Sequence, residues 1–198
     1  MIQIMSMLIL DSNINHEIIT MTELTDLKLE SSRLYLQPLT FNQLVWYKDL
    51  DVSLEKELGL LIGSRGLTEE FIIVIETSNI PYVNYNPEKI LYGTIWVIVH
   101  KGQKVIMGDI GFKGAPTEHG LIEVGYGIYP EYRNKGYMTE ALNSLTNWAF
   151  QQPDVKIILA ETDKINLASQ KTLLKSNFAP FAETESDYWW RLDKEVVN

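Results

Sequence analysis

Arg133 to Met138 reads Arg-Asn-Lys-Gly-Tyr-Met, between an apolar, strand-like run and an amphipathic stretch. A loop that opens a helix presents backbone N–H groups with no intrahelical partner, and the helix dipole adds partial positive charge there. Phosphate binds readily at such a place, and Arg133 and Lys135 bring full charges beside it. Gly136 lets a ligand approach the backbone without a Cβ in the way. An ordinary basic turn would look the same, so the flanking elements have to decide.

The whole chain narrows the chemistry. Its 198 residues, 45% hydrophobic and 22% charged, suit one soluble globular domain with a sizeable core. There is no Cys, which excludes disulfides, a thiolate nucleophile and Cys-ligated metal. His16, His100 and His119 are scattered without metal-ligand spacing, so no metal is expected. A net charge of −9 argues against a nucleic-acid partner and is compatible with attraction of a cationic amine. The opening run MIQIMSMLIL lacks the basic start and cleavage site of a secretory signal and is too short to span a bilayer. The reading is a cytoplasmic protein with no membrane partner. Residues 1–27 are expected to be an N-terminal arm or extension and residues 28–198 the folded domain.

The elements that position the loop follow from pattern. Arg33–Leu39 alternates and ends near a Pro, as a first strand would. Thr40 is placed to cap a helix whose apolar face is Phe41, Leu44, Val45 and Leu50. Thr68–Thr77 combines a helix-entry signal with a β-branched core and is read as helix. Ile80–Lys89, with two Pro and two Asn, is expected as a loop near a substrate pocket. Leu91–His100 and Lys104–Phe112 read as a hairpin. Leu121–Tyr129 is a further strand, with Ile122, Val124, Tyr126 and Ile128 on one face and Glu123, Gly125 and Gly127 on the other. Met138, Ala141, Leu142, Leu145, Trp148 and Ala149 form one helical stripe. Val155–Glu161 is a buried strand, Asn166 caps a helix through Lys175, Asn177 closes it, and two strands finish the chain. The connection from Leu121–Tyr129 through a helix to Val155–Glu161 makes those two strands parallel neighbours.

With that order in place, Glu123–Leu142 resembles the acetyl-CoA-binding motif [RQ]-x-x-G-x-[GA] of the GNAT superfamily of N-acetyltransferases. Arg133 and Gly136 match it, whereas Met138 stands where a small residue is usual. Asn166–Ser169 through Lys175–Phe178 is similar to the family's N-x-x-S…K-x-G-F segment, with Asn177 in the place of Gly. Leu29–Leu39 is similar to the opening strand of the RimJ/RimL-like branch, which acetylates ribosomal-protein N-termini. The resemblance implies an α+β fold: a mixed, mostly antiparallel sheet with a central parallel strand pair and flanking helices.

It also implies function. The expected reaction is transfer of acetyl from acetyl-CoA, as co-substrate, to a primary amine by direct attack in a ternary complex. The amine would be a protein N-terminus or a small molecule. The pyrophosphate is expected on the amides from Asn134 to Met138, through Gly136 and Tyr137, with Arg133 and Lys135 assisting. The pantetheine arm would pair beside Ile128 and Tyr129, in a splay between the parallel strands, and Asn166 would hold one of its amides. An N–H near Ile128 is the expected oxyanion donor. Glu123 is the expected general base, with Asp109 a second candidate, and Ser169 or a water it holds is the expected acid. Solvated or packing roles are the alternatives for each. Tyr82, Tyr85, Trp96, Trp189 and Trp190 are candidates to wall the acceptor site. A non-catalytic acyl-CoA sensor on the same fold remains a competitor, and a homodimer is one open assembly. A nucleotide-phosphate site is disfavoured, because no Walker-type G-K-[ST] occurs.

Overall fold

The computed structural model describes residues 21–194. Most of the expected arm therefore lies outside the described residues. Its last part forms helix α1 (Met21–Asp26), and Leu24 is buried in the core.

One eight-stranded sheet runs in the order β1-β2-β3-β4-β5-β6-β8-β7. Its strands are β1 (Leu29–Glu30), β2 (Leu34–Pro38), β3 (Ile95–His100), β4 (Val105–Phe112), β5 (Leu121–Ile128), β6 (Ile157–Asp163), β7 (Ala179–Glu183) and β8 (Asp187–Asp193). Every neighbouring pair is antiparallel except β5 with β6, which are parallel. The α+β architecture expected from the sequence, with its mixed sheet and central parallel pair, is the one observed.

Helix α7 (Tyr137–Gln151) makes the crossover between the parallel strands. It buries Met138, Ala141, Leu142, Leu145 and Ala149, the expected stripe, against Ile98, Ile110, Ile122 and Val124 of the sheet. Trp148 is only partly buried and packs on Trp96, ring centroids 5.2 Å apart. Alternation along β3 divides the core in two. Trp96 and Ile98 face α7, while Val97 and Val99 face a second cluster with Leu44, Tyr47, Leu54 and Val83.

That second cluster comes from α2 (Phe41–Lys48), α3 (Ser53–Leu58), α4 (Glu69–Val74) and the helices after it. Thr40 caps α2 through a full capping box with Gln43. The buried face of α2 is Gln43, Leu44 and Tyr47, whereas Phe41 and Leu50 are 38% and 49% exposed. The helical period stops before Leu50, whose φ of 56° lies in the left-handed region.

Ile80–Lys89, expected as a loop, is mostly helical. A π turn (Ile75–Asn79) joins α4 to α5 (Ile80–Tyr85), and a 3₁₀ turn (Pro87–Lys89) leads into α6 (Ile90–Gly93). Pro81 is accommodated because it sits in the first turn of α5, just after the wide turn in which Ile80 N–H bonds the Ile75 carbonyl. The expected strand from Leu91 accordingly starts only at Ile95.

Between β4 and β5 the backbones approach too closely for a side chain at Gly108. A Cβ there would lie 2.2 Å from the Gly127 carbonyl oxygen. Gly108→Ala is therefore expected to force the strands apart and destabilise the fold by about 1–3 kcal/mol. A thermal unfolding midpoint equal to that of the unaltered protein would contradict this packing.

Candidate active site

Strands β5 and β6 stay paired only from Leu121↔Ile157 to Glu123↔Leu159. Beyond that point β5 continues with β4 as far as Ile128, and β6 continues with β8 as far as Asp163. The parallel pair thus splays open. Glu123 and Tyr129 direct main-chain groups at β4, through Lys113 N–H to the Glu123 carbonyl and Tyr129 N–H to the Met107 carbonyl. Strand alternation turns the amides of Tyr126 and Ile128 the other way, toward the gap. The amide of Tyr129 is thus committed to β4, while that of Ile128 faces the opening.

A cavity of about 1120 Å³ occupies this gap and extends under α4 and α5. Gly111, Gly125 and Gly127 line its floor, with Ile128 and Tyr129 beside them.

At the cavity's mouth stands the start of α7. Asn134 and Gly136 both take positive φ, 61° and 77°, which tightens the loop, and Gly136 has no side chain with which to cap the helix. The first intrahelical bond runs from Glu140 N–H to the Gly136 carbonyl. The amides of Tyr137, Met138 and Thr139 are left for a ligand. Arg133 lines the mouth while its Nε donates to the Ile128 carbonyl at 3.3 Å. Lys171 and Lys175, one turn apart on α8 (Leu167–Lys175), add two cations from the opposite wall.

Lys135 does not join them. Its ammonium donates to the Glu131 carbonyl at 2.9 Å over the Tyr132 ring, outside the lining residues. The Lys135 carbonyl instead accepts from Arg33 Nη1 at 3.0 Å. Arg33 holds the loop in a second way, its Nε donating to Glu140 at 2.7 Å while its main-chain N–H donates to the other carboxylate oxygen. This pairing neutralises a carboxylate that would otherwise repel an anion at the helix start.

Asn166 caps α8, its Oδ1 accepting from Ser169 N–H at 3.1 Å, and both residues line the cavity. Ser169 Oγ lies 2.8 Å from the Tyr126 hydroxyl. Burial pushes the Tyr126 phenol up to about 12, against a smaller lowering by Ser169. Sequence reading did not single out Tyr126, which comes from a strand remote from Ser169 in sequence.

The two carboxylates considered as bases have different surroundings. Glu123 is not among the residues lining the cavity; its Oε1 is sealed from solvent, has no aligned hydrogen-bond donor and contacts the Lys113 ammonium. Asp109 on β4 lines the cavity, is 7% exposed and faces Gly127 across the β4–β5 register. Burial raises its carboxyl from the ordinary 3.8 to about 7, partly offset by a 2.9 Å hydrogen bond from the Tyr47 hydroxyl. Tyr47 also meets the Tyr129 hydroxyl at 2.8 Å. Behind them Arg65 pairs with buried Glu55 and donates to the Trp46, Tyr47 and Asp51 carbonyls, so the end of α2 that carries Tyr47 is fixed.

Of the aromatic residues proposed as acceptor walls, Tyr82 lines the cavity, with its hydroxyl accepting from Ala115 N–H at 3.0 Å. Trp96 and Trp190 are core residues, and Tyr85 is 79% exposed. Among the described residues no group of three or more His, Cys, Asp or Glu is arranged to hold a metal, and no helix is long and apolar enough to cross a membrane.

A splayed parallel pair with an anion-receptive helix start at its mouth can take an extended, anionic ligand between its strands. The Acetyltransferase (GNAT) domain matches residues 33–179, and this chain belongs to that family. YjdG, an uncharacterized N-acetyltransferase of Bacillus subtilis (strain 168), is 36% identical over 150 residues, covering 76% of this chain and 88% of that protein. Ribosomal-protein-S5-alanine acetyltransferase from Vibrio fischeri superposes with a TM-score of 0.64 at 18% identity, over 86% of this chain and 98% of that one. RimL in complex with coenzyme A gives 0.59 at 17% identity, over 84% and 97%. At these identities the two structures share the fold.

The Asp109 environment has a consequence for stability. Between 3.8 and about 7 the folded protein keeps a proton that the unfolded chain releases. The burial of Asp109 is therefore tolerated fully below the lower value, and its stability contribution is lost progressively as pH rises to and through the upper one. Stability should fall by roughly 2–3 kcal/mol from about pH 5 to about pH 8 through this group. Asp109→Asn should flatten that slope in thermal or urea unfolding. An equal slope in both proteins would refute it.

Proposed function

We propose that the protein transfers acetyl from acetyl-CoA to a primary amine by direct attack within a ternary complex, with Asp109 as the general base. One observation carries this reading. A single cavity joins free helix-start amides and three cations at one end to a buried carboxyl, raised to about 7, at the other, along the open edge of β5. The coenzyme A bound to a RimL structure of the same fold supports the assignment of the donor end.

The pyrophosphate would sit on the amides of Tyr137 to Thr139, with Arg133, Lys171 and Lys175 balancing its charge. The pantetheine arm would add as a strand beside Tyr126 and Ile128, and Asn166, whose amide nitrogen remains a donor, would hold one of its carbonyls. Asp109 takes a proton from the ammonium, and the freed nitrogen attacks the thioester carbonyl carbon. The C–N bond forms, and the Ile128 N–H stabilises the oxyanion. The C–S bond then breaks, and the thiolate takes a proton from the Tyr126–Ser169 pair. The second proton of the attacking nitrogen returns to that pair, leaving an amide and free CoA, while Asp109 releases its proton to solvent. A base with a value near 7 is matched to this task at neutral pH. Glu123, held against Lys113, is assigned a supporting role in the strand.

Thiol release from acetyl-CoA over an amine and peptide panel tests the activity. Asp109→Asn should lower kcat by about a hundredfold or more while acetyl-CoA binding is retained, and Glu123→Gln should keep most turnover. The reverse pattern would return the base role to Glu123. Acetyl-CoA bound but never consumed by any amine would mark a sensor. Separately, Arg33→Ala should weaken acetyl-CoA binding by about tenfold with little change in kcat; unaltered binding would show that the Arg33–Glu140 pair does not hold the loop.

A further inference from the structure

We infer that the acceptor is an amine with a single positive charge on an apolar body; this rests on the proposed reading of the cavity as an acetyl-transfer site. The acceptor end lies under α4 and α5, walled by Leu67, Phe71, Val74, Tyr82, Ile95 and Tyr129. Asp109 is the only carboxylate among the described residues that line the cavity. Every other charged lining residue is a cation: Lys113, Arg133, Lys171 and Lys175. The carboxylates of Glu69, Glu70 and Glu76 are exposed and do not line it.

This distribution selects among amines. One ammonium finds one carboxylate, to which it delivers its proton. A second ammonium on the same molecule would meet no second carboxylate, only apolar side chains, the neutral Thr68, Ser78 and Asn79, or a like charge. Removing it from water without a partner is strongly unfavourable. An apolar body, by contrast, gains by covering Phe71, Val74 and Tyr82. Polyamines and multiply charged sugars are thus disfavoured by the same wall that favours an alkyl or aryl group. Electrostatic attraction from the net charge of −9 would still draw polycations to the surface, so the discrimination lies inside the cavity.

The test is a matched pair, n-hexylamine and 1,6-diaminohexane, alike in reach and different in one ammonium. Initial rates of thiol release from acetyl-CoA would be measured with the full chain. The monoamine should exceed the diamine in kcat/KM by about tenfold or more. Val74→Asp places a second carboxylate in the wall at a position already 46% exposed, so the fold should tolerate it, and it should narrow or invert that ratio. A diamine used as well as the monoamine by the unaltered protein would overturn this inference alone. So would turnover of other amines in the panel with neither of these two. Absence of thiol release with every amine would overturn the transferase reading, and this inference with it.

Discussion

The parting of β5 from β6 after Glu123↔Leu159 is the constraint on which the rest of the site depends. Both strands keep their outer neighbours beyond that point, so within the sheet's interior main-chain groups are left unpaired where its two halves diverge. Backbone donors and acceptors need partners: the Ile128 carbonyl takes Arg133 Nε, while the amides of Tyr126 and Ile128 face the opening. The helix that bridges the two strands starts at the same opening. Its uncapped amides and the unpaired strand edge therefore face one volume. The anchoring of α7 on Ile98, Ile110, Ile122 and Val124 keeps those two features in register.

Charge is arranged against the grain of the whole molecule. The chain carries a net charge of −9, yet all but one of the charged residues lining the cavity are basic. Arg33 cancels Glu140 at the loop, so the helix start is not opposed by its own first turn. Asp109 is the exception, and its surroundings explain its raised value. Tyr47 offers it one hydrogen bond, and no cation among the described residues is paired with it. The buried Arg65–Glu55 pair lies behind Tyr47, where it pins the backbone without placing a charge beside Asp109.

Local chemistry made much of this legible in the sequence. The alternation of Leu121–Tyr129, the stripe of α7, the caps at Thr40 and Asn166 and the left-handed Asn177 are short-range features, and each appears where its residues placed it. Ile80–Lys89 misled because Pro and Asn favour turns locally, while packing of Val83 and Ile90 against the sheet favours helix. Leu50 misled because an apolar residue in helical period need not remain in the helix.

The donor side of the site shows the same division. A basic loop with Gly136 before an apolar-striped helix is legible locally, because free amides, dipole and small residue are all consecutive in the chain. The sequence by itself therefore determined the fold class, the family resemblance and a basic, glycine-bearing helix start. Only the tertiary structure decided which side chains meet there. It turned Lys135 outward, set Glu123 against Lys113, brought Tyr126 to Ser169 and buried Asp109 beneath Tyr47 and Tyr129. The physical reason is that a raised carboxyl and a hydrogen bond between two hydroxyls depend on burial and on neighbours from distant strands and helices. No spacing along the chain encodes those distances.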